Sequence, residues 1–150
     1  MTDETLRSVD ITRIGPARFK ATNARGGETF FGTGGEDPDF TPVELLLAAI
    51  AGCSALDVEA ITHKRTTSTR FDVRAEGEKV RDEHGNHLTG LRVSFEVEFP
   101  EGPDGDAARD RVQSAIAMSR DRLCTVSRTV QLGQDVVYDD LAPEEPVSRP

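Results

Sequence analysis

The chain has 150 residues, 36% hydrophobic and 30% charged, and a net charge of −9. That is one domain of ordinary size with enough apolar material for a core. The charge argues against general nucleic-acid binding, which needs cations to displace phosphate counterions, and two cysteines with three histidines make no disulfide scaffold and no full zinc ligand set of familiar spacing.

From the N-terminus, Ser8 to Ile14 alternates apolar and polar residues, as a strand does. Gly15-Pro16 makes a turn, Ala17 to Thr22 is extended again, and Asn23-Ala24-Arg25-Gly26-Gly27 turns into Thr29-Phe30-Phe31. A three-strand meander is expected. Gly32 to Asp39 is a Gly-rich acidic loop without the spacing of a phosphate cradle.

Phe40 to Val58 is the organising stretch. Thr41 can cap a helix, Pro42 suits its first position, and Glu44 completes a capping box, with Phe40 and Leu45 as a hydrophobic staple. Leu45 to Ile50 has no polar face, so the helix, expected to run to about Lys64, should be buried on nearly all sides. Cys53 sits inside it, as inert packing or as a reagent in a dry pocket. No uninterrupted apolar run approaches a membrane span, and Met1-Thr2-Asp3-Glu4 lacks a signal-peptide pattern, so the cytoplasm is the expected location.

Phe71 to Glu78 and Leu91 to Phe99 alternate strictly and read as antiparallel strands charged on one face, joined by a polar loop from Arg81 to Thr89. His84 and His87 have metal-like spacing but fall in that loop, and no metal is expected. Asp106 can cap a second helix with Ala108, Val112, Ala115 or Ile116, Ser119 and Leu123 facing inward. Cys124 follows and can begin a short helix through Val130. Gln134 to Asp140 reads as a last strand, and 142–150, rich in Pro and Glu, as a disordered tail behind a single domain over 1–141. The class is α+β, with antiparallel sheets around a long buried central helix. One small sheet cannot cover a helix this apolar, so a homodimer with a large or intertwined interface is expected.

Pro42-Val43-Glu44-Leu45 leading through small residues to Gly52-Cys53-Ser54, with Leu123-Cys124-Thr125-Val126-Ser127 after another helix, resembles the OsmC/Ohr family of thiol-dependent peroxidases. The wording around Cys53 is closer to a less well characterised branch than to Ohr or OsmC proper. The resemblance covers all but the tail. It implies an OsmC-like fold in an intertwined homodimer and reduction of organic hydroperoxides by Cys53, whose sulfenic acid Cys124 resolves to a disulfide. No bound cofactor is implied, only an external dithiol reductant, a lipoyl protein or a thioredoxin-like one. No nucleic-acid or membrane partner is implied.

Such chemistry needs a thiolate, yet a free Cys, with a pKa of about 8.5, is mostly protonated at neutral pH, and burial raises that pKa further. The family uses an arginine from the N-terminal strands, held by a glutamate at the helix start. Arg25, in a segment resembling the one that carries this arginine, is the candidate, with Arg18 behind it; equally, Arg25 can be a solvated turn residue. The family's glutamate directly follows the proline, where this chain has Val43. Glu44 lies one residue later, about 100° around a helix, and serves as a cap or as the clamp. Three rival readings stay open: a non-catalytic dimeric scaffold, a binder of a hydrophobic ligand, and a thiol redox sensor.

Overall fold

In the computed structural model, which describes residues 5–141, the N-terminal turns close where their residues demand. Pro16-Ala17 joins β1 (Asp10–Gly15) to β2 (Arg18–Thr22). The Asn23 side chain accepts the backbone N–H groups of Arg25 at 3.0 Å and Gly27 at 2.9 Å, shaping the turn into β3 (Glu28–Gly32). An Asn side chain commonly organises a turn in this way. The three strands pair antiparallel in the order β1-β2-β3, the meander expected from the sequence. Phe19 stacks on Phe31 across β2 and β3. The acidic loop is fastened to β2, since Arg18 pairs with Asp37 at 3.0 Å and with Asp39.

The central helix α1 spans Pro42–Thr62. Its capping box is complete: Thr41 Oγ1 accepts the Glu44 N–H at 3.2 Å, and Glu44 accepts the Thr41 N–H at 2.9 Å. The Thr41 N–H, with the Thr41 hydroxyl, holds the Glu44 carboxyl below the usual carboxylate range. The carboxylate form of the cap is therefore at full strength at neutral pH and is lost as pH falls through that depressed value. Thr41→Ala should cost about 1 kcal/mol, read as a lower Tm at pH 7; an unchanged Tm would mean the cap contributes nothing.

The second sheet is a hairpin of β4 (Arg70–Asp82) and β5 (Gly85–Glu98). Pairing continues out to Asp82 and Gly85, so the expected loop over 81–89 shrinks to Glu83 and His84. A positive φ at Gly85 closes the tight turn, a conformation that glycine adopts without strain. Helix α2 (Pro103–Met118) starts earlier than the Asp106 cap expected from sequence, because Pro103 fills its first position after Gly102. A five-residue π-helical turn, Ser119–Leu123, follows, then α3 (Thr125–Leu132).

The expected last strand is absent. Residues 133–141 belong to no helix or strand, and Tyr138 is 89% exposed. Strand propensity in Val136-Val137-Tyr138 has no effect without a ladder to join. The expected tail, 142–150, lies outside the described residues.

The core forms where α1, α2, α3 and the β4–β5 hairpin meet. On α1 the stripe Ile50, Ser54, Val58 and Thr62 is buried, a spacing of four that keeps one helix face inward. Opposite, Gly105, Ala108, Ala115 and Ser119 give α2 and its extension a line of small buried residues, which allows close helix approach. The rest of α1 is not covered within one chain: Leu46 and Leu56 remain exposed, Leu56 by 68%. The β1–β3 sheet packs almost wholly on itself, and Val9, Ile11, Ile14 and Phe30 stay exposed. By length and composition α1 is apolar enough to cross a membrane, which corrects the expectation that no segment approaches a span. Its buried stripe instead makes it the central helix of this core.

A candidate dithiol site

The π-helical turn determines where Cys124 lies. Ser119 accepts the Cys124 N–H at 2.9 Å, one residue further than an α-helix would reach. Such wide turns concentrate at functional sites. Cys124 is thereby delivered to the N-cap of α3, where its sulfur accepts the Ser127 N–H at 3.4 Å. On the facing side α1 presents Cys53 and, one turn later, Asp57. The two sulfurs and a carboxylate oxygen of Asp57 all lie within 4.8 Å of one another. Both cysteines are free thiols, Cys53 half-buried and Cys124 fully buried.

The local field divides the pair. Burial pushes the Cys53 thiol up, helped by its hydrogen bond to Cys124 and by the negative charges of Cys124 and Asp57, against one favourable N–H from Val126. Burial also works against ionising Cys124, but the Ser127 and Ser54 hydroxyls, the Ser127 N–H and the Cys53 thiol outweigh it, and Cys124 falls below the ordinary thiol value. The first proton to leave the pair therefore comes chiefly from Cys124, with Cys53 donating to the resulting thiolate. Thiolate absorbance of the reduced protein should rise in two steps, one below and one above the ordinary thiol pKa. Cys124→Ser should delete the lower step; a single step at the ordinary value would contradict this division.

Beside the pair lies a cavity of about 310 Å³ lined by Leu47, Ile50, Leu91, Val93, Phe95 and Ile116, among others, with Ser54 and Ser127 on the thiol side. Arg92 and Arg120 also border it. Ser127 Oγ is buried without a partner at full hydrogen-bond geometry.

The structure brings Cys53 and Cys124 together but leaves Arg25 and Glu44 elsewhere. Arg25 is an exposed residue of the β2–β3 turn and is not among the charges acting on Cys53 in its own chain. Glu44 is engaged at the helix cap, and Arg18 with the acidic loop. No site role was expected of Asp57, Ser119 or Ser127. Their signals were the four-residue spacing from Cys53 to Asp57, which places both on one helix face, and the three-residue spacing from Cys124 to Ser127, which matches an N-cap.

An α+β chain whose central helix holds one thiol against a second thiol at another helix's N-cap defines a two-cysteine class of protein. The chain belongs to the OsmC-like protein family, whose sequence pattern it matches over residues 34–139. It is 25% identical over 127 residues to an uncharacterised protein of Mycobacterium tuberculosis, covering 84% of this chain and 90% of that one. Its fold is similar to an OsmC-like protein of unknown function from Vibrio cholerae, with a TM-score of 0.65, 14% identity, and coverage of 85% of this chain and 94% of that one. It is also similar to the organic hydroperoxide resistance protein OhrB of Bacillus subtilis, with a TM-score of 0.54, 14% identity, and coverage of 81% and 90%.

Proposed function

We propose that the protein is a thiol-dependent peroxidase that reduces organic hydroperoxides. The observation that carries this reading is the pairing of Cys53 and Cys124 beside an apolar cavity; family membership and the name of the Bacillus subtilis neighbour agree with it. Accessibility supports Cys53 as the attacking thiol, and acidity supports Cys124 as the proton acceptor. Cys53 sulfur attacks the distal oxygen of the hydroperoxide as its proton passes to the Cys124 thiolate. The O–O bond breaks, sulfur keeps the hydroxyl as sulfenic acid, and the alkoxide takes the proton from Cys124 to leave as alcohol. The Cys124 thiolate then attacks the sulfenic sulfur and displaces hydroxide, which is protonated to water, leaving a disulfide. An external dithiol, of a lipoyl or thioredoxin-like protein, restores both thiols by exchange, which suits a reducing cytoplasm.

The working form is a homodimer. Supporting this are the uncovered face of α1 and a β1–β3 sheet with exposed apolar residues and scarcely any packing in its own chain. A sheet placed in this way can lie against a second copy, and Arg25 at its β2–β3 turn would then approach the other copy's Cys53 and stabilise its thiolate. The test is cumene hydroperoxide consumption with a dithiol reductant, together with native mass spectrometry. Turnover and a mass of twice 16.3 kDa are expected, and Arg25→Ala should slow turnover without changing the mass.

One observation favours a second reading, a binder of an apolar ligand. In the single chain no cation acts on Cys53 and its thiol is pushed up. A co-purifying hydrophobic molecule with no peroxide turnover would establish that reading instead.

A further inference from the structure

We propose that Cys53, Cys124 and Asp57 form a binding site for a thiophilic divalent metal ion of the zinc class. Three ligand atoms from two separate elements already converge within 4.8 Å. A tetrahedral zinc ion with bonds of about 2.3 Å to sulfur sets two thiolates about 3.7 Å apart, so a spacing within 4.8 Å leaves at most about 1 Å to close.

The surroundings also suit a metal site. Ser119 Oγ donates to Asp57 Oδ2 at 2.9 Å, fixing the carboxylate. Ser119 is itself buried, 1% exposed, and a hydrogen bond of this kind orients a metal-ligating carboxylate. Each sulfur has a backbone N–H from the start of α3, Val126 for Cys53 and Ser127 for Cys124. Among the described residues no Lys, Arg or His forms an ion pair with Asp57. Two sulfurs and a half-buried carboxylate thus share one space without a cation, and a dication resolves that repulsion.

The donor set selects the ion. Two thiolates and one carboxylate suit zinc-like ions, whereas magnesium and calcium prefer all-oxygen shells. Three protein ligands leave a fourth position for exchangeable water. Binding replaces the two thiol protons, so up to two protons are released per ion, and no electrons move. Disulfide formation removes both sulfur ligands, making metal binding and oxidation mutually exclusive. The proposal does not depend on peroxidase activity.

The histidines do not contribute. His84 and His87 lie at the far hairpin tip, beside Glu83 and Asp82, away from the only such cluster found among the described residues.

The test is anaerobic titration of the reduced protein with Co²⁺ as the spectroscopic probe, then displacement by Zn²⁺. One equivalent of Co²⁺ should give a sulfur-to-metal charge-transfer band, abolished by one equivalent of Zn²⁺ and absent from the disulfide form. Asp57→Asn, which keeps size and can still accept from Ser119, should weaken binding about tenfold or more, and Ser119→Ala should weaken it in the same direction. Unchanged circular dichroism in both variants identifies the loss as local. No band in the reduced protein overturns the site; so does equal affinity in Asp57→Asn, which would leave only chelation by two thiols. Neither measurement uses a peroxide, so failure here leaves the peroxidase reading intact, and the reverse also holds.

Discussion

Cys53→Ser should abolish catalytic consumption of cumene hydroperoxide, a loss of about a thousandfold or more, as expected when a nucleophile acting in concert with a partner is removed. Cys124→Ser should behave differently. With the resolving thiol gone, Cys53 can complete one reduction and stop as a sulfenic acid, one equivalent of alcohol per subunit. That single turnover should be slower than in the wild type, because the group that accepts the Cys53 proton is also missing. A dimedone adduct on Cys53, detected by mass spectrometry, is the expected signature. If Cys124→Ser abolished consumption while Cys53→Ser retained one equivalent, the roles of the two sulfurs would be reversed.

The second large effect is structural. At Gly105, near the start of α2, an added Cβ would lie 1.7 Å from the Pro100 carbonyl oxygen and 2.8 Å from its carbon. Both are backbone atoms, so relief requires the helix start to move. Gly105→Ala should therefore destabilise by about 3 kcal/mol, at the high end for overpacking, lowering Tm by roughly 6–12 °C in a chain of this length. The same substitution at Gly52, inside α1, meets nothing within 4 Å in the single chain. Helix propensity alone makes Gly52→Ala stabilising by about 0.5–1 kcal/mol. If the homodimer covers that face of α1, the sign reverses and dissociation accompanies it. Thermal melts of the two variants thus separate contacts within a chain from contacts between copies.

Much of the fold was legible in the sequence because its signals are local. Thr41, Pro42 and Glu44 mark the start of α1, and the alternation from Phe71 and from Leu91 marks the hairpin. What was misread depended on partners distant in the chain. Gln134 to Asp140 has strand composition but finds no edge to pair with. The loop over 81–89 looked long because polar residues also occupy the exposed end of a hairpin. At the site, the two cysteines were legible by motif, whereas their relative acidity was not. That depends on Ser54 and Asp57 of one helix meeting Ser127 of another. Arg25 illustrates the opposite limit: its segment carries a motif, but its own chain does not bring it to the sulfur.

The wide turn at Ser119–Leu123 has a consequence for how this chain tolerates insertions and deletions. A π-helical turn holds one residue more than the α-helix around it, so it acts as a phase setter for all that follows. Deleting one residue there lets the helix run on in ordinary α geometry with its phase nearly kept, whereas inserting one more rotates everything downstream by about 100°. Cys124 would then point away from Cys53 although every side chain of the site was still encoded. Length variation in the 83–84 hairpin tip or in the 133–141 segment carries no such penalty, since neither sets the direction of a site residue. The spacing between Ser119 and Cys124 is therefore as much a part of the site as the sulfur itself.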